Sequence, residues 1–101
     1  SRIAYGEQVT PERLAMIDKA ERFLRRHGFA PLRVRYHKGD MARIEVSADA
    51  MGRFLDPEFR REVTEELTAL GFKYIALDLK GFRSGSLNEV LPAESLQILS
   101  R

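Results

Sequence analysis

The chain contains no cysteine, which excludes disulfides, cysteine-containing zinc sites and thiol chemistry within its 101 residues. No apolar run approaches the ~20 residues that a membrane-spanning helix needs, and no signal peptide is visible. The sequence therefore predicts a cytoplasmic protein with no membrane partner. The formal net charge is only +2, so the chain also lacks the overall basic character of many nucleic-acid-binding proteins.

The length fits one domain with a modest core, and the 44 % hydrophobic content is typical of a soluble globular protein. The sequence starts at Ser1, without an initiating methionine, and residues 1–6 carry neither a helix nor a strand signal. We expect the chain to be a piece cut from a longer protein.

A predicted β-hairpin is the central feature of the sequence. Residues 32–37 and 41–46 alternate apolar and charged side chains, and the three residues from Lys38 to Asp40 form the expected turn. Such a turn pairs His37 with Met41, Arg35 with Arg43 and Arg33 with Glu45. Two arginines directly opposite each other repel, unless an anionic ligand or a nearby carboxylate compensates their charge.

Two helices and a third strand complete the predicted fold. Thr10 and Pro11 begin a helix that runs to about His27, and a second helix starts at Pro57 and ends near Leu70. The nearly apolar residues 72–79 predict a strand that is buried on both faces. The fold class is therefore α+β, with two main helices packed on one face of a small three-stranded sheet, in α-β-β-α-β order.

A basic surface is predicted on the charged face of the hairpin. Arg33, Arg35 and Arg43 share that face, and Arg83 could reach it from the glycine- and serine-containing loop after the third strand. A guanidinium binds phosphate or carboxylate oxygens in bidentate fashion, and the loop can present backbone N–H groups to an anion. The alternative is a surface whose arginines form ordinary salt bridges with Glu45 and Asp78.

Three carboxylates form the second candidate group. Glu21 falls within the apolar stripe of the first helix, where a carboxylate needs a partner. With Glu45 and Asp49 it could hold a divalent cation or balance the arginines. His27 and His37 lack a paired spacing, so neither is predicted as a metal ligand or a base, and no catalytic residue is predicted.

Taken together, these motifs resemble the C-terminal part of the LarE family, the ATP-dependent sacrificial sulfur transferases of the PP-loop ATP pyrophosphatase group. The similarity covers residues 1–91, and we expect residues 92–101 to be a tail or a short helix. The segments that carry it occur in the order of the family: residues 1–6, the helix after Thr10, and residues 32–37, 42–46, 71–74 and 77–88.

The resemblance implies a role in building the nickel-pincer cofactor of lactate racemase. In this family a PP-loop domain uses ATP and magnesium to activate a pyridinium dicarboxylate mononucleotide, and the C-terminal part helps to bind that substrate and to form homo-oligomers. The resemblance implies that Ser1, Arg2, Arg33 and Arg83 help to bind the substrate phosphate, with Arg35 beside them. The hydroxyls of Ser84 and Ser86, in the loop after the third strand, are further candidates for the same contacts. The resemblance also implies that Glu21, Glu45 and Asp49 gather near the transfer centre, around a candidate divalent metal.

The departures from the family predict that this piece is inactive alone. Its sequence contains neither the Ser-Gly-Gly signature of the PP-loop nor the sacrificial cysteine that many members use. We therefore expect no cofactor in this fragment, and a PP-loop domain as its partner. Two other interpretations stay open: a nucleic-acid-binding module with a basic face, which the mild net charge disfavours, and a purely structural oligomerisation domain.

Overall fold

The computed structural model describes residues 2–83 and shows an α+β fold, as predicted. Two α-helices and three strands follow in the expected order within these residues, with a 3-10 helix before the second α-helix. Their bounds are α1 Pro11–Arg26, β1 Leu32–His37, β2 Met41–Val46, the 3-10 helix Ala48–Leu55, α2 Pro57–Leu70 and β3 Tyr74–Leu77. The proposed boundary at residue 91 and the tail at 92–101 lie outside the described residues.

Both long helices begin at the predicted capping residues. The Thr10 hydroxyl accepts a hydrogen bond from the Arg13 N–H at 3.1 Å, and the Asp56 carboxylate accepts one from the Phe59 N–H at 3.3 Å. Each cap satisfies a backbone donor that has no partner within its helix. Helix α2 ends at Gly71, which has the left-handed φ of 117° that glycine adopts without strain.

The sheet has the order β1-β2-β3. Strands β1 and β2 are antiparallel, and all three predicted hairpin pairs are confirmed: His37 with Met41, Arg35 with Arg43 and Arg33 with Glu45. Strand β3 lies parallel to β2. Alternate residues of β1 and β2 therefore share a polar face, while the others face the helices.

Residues 2–4 pair with the outer edge of β1. Residues 1–6 carry no strand signal, so the sequence did not predict this pairing. The Tyr36 N–H donates to the Arg2 carbonyl at 2.7 Å, and the Ala4 N–H donates to the Tyr36 carbonyl at 2.8 Å. Ile3 between them is buried in the core. The segment is therefore held against the sheet, close to the charged side chains.

One apolar cluster joins α1, α2 and the inner face of the sheet. Tyr36 points into it, and its hydroxyl donates to the Asp40 carboxylate at 2.6 Å. The fully buried apolar side chains include Ile17, Leu24, Phe29, Val34, Ile44, Val46, Leu67 and Phe72. Leu14 is exposed near the start of α1.

The prediction of a buried third strand over residues 72–79 was wrong in its length and burial. Phe72 is buried, but it precedes β3 and donates its N–H to the Leu67 carbonyl at the end of α2. A turn that starts at Asp78 ends the strand, and Leu79 is 82 % exposed. Because β3 is the last strand of a sheet whose helices cover only one face, no residue of β3 is fully buried.

Candidate anion-binding site

The Glu45 carboxylate compensates the positive charges of the facing residues Arg35 and Arg43. Its carboxylate is fully buried and accepts from Arg35 Nη2 at 3.3 Å and from Arg43 Nη1 at 2.9 Å. Arg43 Nη1 also donates to Asp78, directly after β3. The predicted salt bridges to Glu45 and Asp78 are therefore present, on a face that is largely withdrawn from solvent.

Arg83 joins this group because the chain turns sharply after β3. Gly81 has a φ of 84°, and the Phe82 N–H donates to the Val46 carbonyl at 2.9 Å. The turn brings Arg83 Nη2 to 3.4 Å from the Asp78 carboxylate and its carbonyl to 3.5 Å from Arg35 Nη2. We call these side chains the Glu45 cluster: Arg35, Arg43, Glu45, Asp78 and Arg83.

The Glu45 cluster has more positive than negative charge, with three guanidiniums against two carboxylates. Burial raises the pKa of Asp78, but hydrogen bonds from the Lys80 N–H and Arg43, with the charges of Arg43 and Arg83, outweigh it and lower that pKa. Burial and the charges of Arg43 and Arg35 lower the pKa of His37. His37 Nε2 also accepts from Arg43 Nε at 3.0 Å, which requires the neutral ring.

A second group of charged side chains surrounds Glu21, at the outer edge of β1. The Glu21 carboxylate is buried and accepts from the Val34 N–H at 2.9 Å and from Arg2 Nη1 at 2.6 Å. Arg25 Nη2 lies 3.3 Å and Arg33 Nη1 lies 3.9 Å from the same carboxylate. With Asp18, which pairs with Arg2 at 2.7 Å, these side chains form the Glu21 cluster: Arg2, Asp18, Glu21, Arg25 and Arg33.

The structure thus divides the predicted site residues between two clusters. Arg35, Arg83 and Glu45 lie in the Glu45 cluster, whereas the contacts of Arg2 and Arg33 place them with Glu21. Asp49 is exposed on the 3-10 helix and joins neither. Ser1, Ser84 and Ser86 lie outside the described residues.

The three predicted carboxylates do not come together. Within residues 2–83, no three histidine, aspartate or glutamate side chains lie close enough to hold a metal ion. Glu21 binds at the edge of β1 and Glu45 on the polar face of β2, and each is engaged by arginines. These donors therefore do not fit a divalent cation, and their role in the described structure is to balance guanidinium charge.

Arg25 and Asp18 were not among the predicted site residues. Arg25 follows Glu21 by four residues, a spacing that places both side chains on one side of a helix and could have indicated the pair. The pairing of Asp18 with Arg2 joins a helix to a segment without a structural signal, so spacing could not have found it.

Exposure separates the arginines that can reach a ligand from those that cannot. The side chain of Arg35 is almost wholly buried between Glu45 and the Arg83 carbonyl. The side chains of Arg33 and Arg83 are 37 % and 27 % exposed, and each is held near a carboxylate. Arg33 and Arg83 can therefore present guanidinium N–H groups to an anion, whereas Arg35 holds the loop that carries Arg83.

The chain is 44 % identical over 96 residues, 95 % of its length, to the pyridinium-3,5-bisthiocarboxylic acid mononucleotide synthase of Lactiplantibacillus plantarum, which is LarE. The resemblance to the LarE family is confirmed. An uncharacterized protein of Synechocystis sp. is 40 % identical over 91 residues, 90 % of the chain. The LarE-like chain spans about a third of both curated relatives, 34 % of each. No family model matches it.

The match covers about a third of LarE and does not by itself assign a role to the residues of this chain. None of the described helices is long and apolar enough to cross a membrane. The two charged clusters remain the features of the described chain to which a ligand can be assigned.

Proposed function

We propose that this LarE-like chain is the substrate-binding, C-terminal part of a sulfur transferase that acts in nickel-pincer cofactor biosynthesis. Its substrate is a pyridinium dicarboxylate mononucleotide, and its partner is a PP-loop domain that supplies ATP and magnesium chemistry. The name of the L. plantarum relative, a synthase of a pyridinium mononucleotide, supports this assignment. The fragment alone is inactive, because its sequence lacks the PP-loop signature.

The substrate phosphate binds on the polar face of the sheet, between the two clusters, where it is contacted by the partly exposed guanidiniums of Arg33, which pairs with Glu45 across the hairpin, and Arg83. The observation that carries this proposal is the excess of positive charge around Glu45, where a loop fixed by Arg35 brings Arg83 to the sheet. Guanidiniums already oriented by carboxylates lose little conformational freedom when they bind a phosphate in bidentate fashion. Arg35 acts as a positioning residue, and Arg2 orders the N-terminal segment through Glu21.

Ser1, as the resemblance implies, and the loop residues Ser84 and Ser86 complete the proposed phosphate contacts. Glu21 and Glu45 orient the arginines in this proposal, and a metal ion is not part of it. We also propose that the chain forms homo-oligomers in the cytoplasm.

Calorimetric titration of the chain with two matched ligands tests the phosphate assignment. Nicotinamide mononucleotide carries the phosphate and the pyridinium ring, and nicotinamide riboside lacks only the phosphate. We expect the mononucleotide to bind and the riboside to bind at least about ten-fold more weakly, since bidentate guanidinium–phosphate contacts are charge-assisted. Equal affinities would remove the phosphate from the proposal.

The nucleic-acid alternative has little support among the described aromatic residues. Stacking on bases requires exposed rings, and Tyr36 is buried in the core. Tyr5 and Tyr74 are exposed, but they lie at opposite ends of the sheet: Tyr5 follows the segment at the edge of β1, and Tyr74 is on β3. They therefore do not form one stacking surface. A single-stranded oligonucleotide in the same titration distinguishes the two functions, because only a nucleic-acid-binding module binds it in preference to the mononucleotide.

A further inference from the structure

His37 lies on the polar face of the sheet, beside the Glu45 cluster. It shares that face with Arg33 and Arg35, because alternate residues of a strand point to the same side. On the neighbouring strand, Arg43 Nε lies 3.0 Å from His37 Nε2. An arginine Nε always carries a hydrogen, so His37 Nε2 accepts this hydrogen bond and the proton of the neutral ring is on Nδ1.

The neutral His37 ring holds Arg43 from one side, while two carboxylates hold it from the other. Arg43 Nη1 donates to Glu45 at 2.9 Å and also to Asp78. The Asp78 carboxylate lies 3.4 Å from Arg83 Nη2. Because one guanidinium joins these contacts, a change at His37 reaches the carboxylate that positions Arg83.

We propose that His37 is a proton-dependent positioning residue of the anion-binding site, which binds a phosphate group more tightly when the ring is protonated. A protonated imidazole carries a hydrogen on both nitrogens and can no longer accept from Arg43. The site then gains one positive charge, and Arg43 Nε is released to donate to an oxygen of the anion. Both changes favour the anion. This inference rests on the proposed phosphate site and adds its regulation by pH.

The charges that act on His37 belong to the polar face and to the segment before α1. Burial and the charges of Arg43 and Arg35 lower the pKa of His37, whereas the charges of Glu45 and Glu7 raise it. An anion bound beside the arginines adds negative charge to the same surface, so it should raise the pKa of His37. By reciprocity, the protonated chain then binds that anion more tightly by the same factor.

An NMR pH titration of the two histidines, with and without sulfate at constant ionic strength, tests this coupling. Sulfate stays a dianion in this range, whereas a phosphate monoester takes up a proton near about pH 6. We expect saturating sulfate to raise the pKa of His37 by about 0.5, which corresponds to about three-fold tighter binding to the protonated form. His27 is the internal control, because it packs between Phe23 and Phe59 on the helices, and its titration curve should not move.

Each other result of this titration would overturn the proposal. Localised sulfate shifts at Arg83 with an unchanged His37 curve would keep the anion site but remove its coupling to His37. Equal displacement of both histidine curves would indicate a non-specific ionic effect. If sulfate produced no localised shifts, both this inference and the proposed phosphate site would fail.

Two matched substitutions test whether His37 is the source of the pH dependence. His37→Gln keeps an acceptor for Arg43 Nε but cannot be protonated, so its sulfate affinity should be equal at pH 5 and pH 7. The parent chain and His27→Gln should both bind sulfate about three-fold more tightly at pH 5 than at pH 7. Amide NMR titration measures the affinities, and circular dichroism at both pH values checks the fold. A pH dependence in His37→Gln equal to that of the parent would contradict the role of His37.

Discussion

The buried carboxylate of Glu21 accepts a hydrogen bond from the backbone N–H of Val34, thirteen residues further along the chain, at 2.9 Å. This N–H lies on the outer edge of β1, where no strand of residues 2–83 supplies a carbonyl. Glu21 thus supplies the hydrogen-bond acceptor for this N–H at the edge of the sheet and holds α1 against it. Arg2 compensates the negative charge of Glu21. One side chain therefore couples the first helix, the hairpin and the N-terminal segment.

We predict that Glu21→Ala lowers the free energy of unfolding by about 3–5 kcal/mol, because it leaves the buried Val34 N–H without its acceptor and removes the carboxylate that the nearby guanidiniums share. Glu21→Gln keeps an acceptor for the N–H and should cost less. Urea unfolding followed by circular dichroism measures both changes. Asp18→Asn is the matched control, since Asp18 is half exposed in the same cluster and should change stability by less than about 1 kcal/mol. A loss below 1 kcal/mol for Glu21→Ala would refute the coupling role.

Glu45→Gln should destabilise the fold by about 3 kcal/mol, because Arg35 and Arg43 would then face each other without the buried charge that compensates them. Chemical denaturation of the variant and the parent chain gives the difference. Glu65→Gln serves as control, since its ion pair with Arg61 is exposed and contributes within about 0.5 kcal/mol. Similar small effects of both substitutions would show that Glu45 does not bridge the arginines in solution.

Stability should fall on acidification in two pH ranges. The pKa of His37 is lowered by burial and by Arg43, so the unfolded chain takes up the proton first and stability declines as the pH falls below the unperturbed 6.5. The pKa of Asp78 lies below its ordinary 3.8, so its contribution is present above that value and is lost as the pH falls through the folded pKa.

Urea unfolding at pH 7 and pH 5 isolates the histidine contribution. We expect the parent chain to be less stable at pH 5, and His37→Gln, which keeps an acceptor for Arg43 Nε, to show a smaller difference between the two pH values. An unchanged pH dependence in that variant would exclude His37 as the source.

Gly81→Ala should weaken both the fold and ligand binding, because Gly81 has a φ of 84° and an added Cβ would lie 3.0 Å from the Val46 carbonyl oxygen. The strain displaces the loop that brings Arg83 to Asp78. Gly52→Ala is the control, since no atom lies within 4 Å of its added Cβ. Thermal unfolding and mononucleotide titration measure the two effects, and equal behaviour of the two variants would argue against a fixed loop.

The fold was predictable where alternation and capping residues were clear. Six-residue alternation on both sides of Lys38–Asp40 determined the register of β1 and β2, including the facing arginines. The run at 72–79 was misinterpreted because an apolar sequence does not distinguish a central strand from a helix end followed by a short edge strand. Phe72 belongs to the helix end and Ile75 to the short edge strand.

The candidate site was predictable in its residue types but not in its grouping. Glu21 in an apolar stripe required a partner, yet the sequence could not show that the partners are a strand edge and Arg2. The alternation placed Arg33 and Arg35 on one face. It could not show that Arg33 approaches Glu21 whereas Arg35 points to Glu45, because long side chains choose between neighbours through tertiary contacts.

Amide NMR titration of the chain with nicotinamide mononucleotide, at two salt concentrations, tests the proposed substrate site most directly. We predict localised shifts at the amides of Arg33, Arg35 and Arg83, weaker at high salt, and loss of these shifts in the Arg33→Ala/Arg83→Ala double variant with the fold retained. The Arg60→Ala/Arg61→Ala variant, which removes the same charge from α2, should bind like the parent. Shifts that persist in the Arg33/Arg83 variant, or no localised shifts in the parent chain, would contradict a substrate-binding site on these arginines.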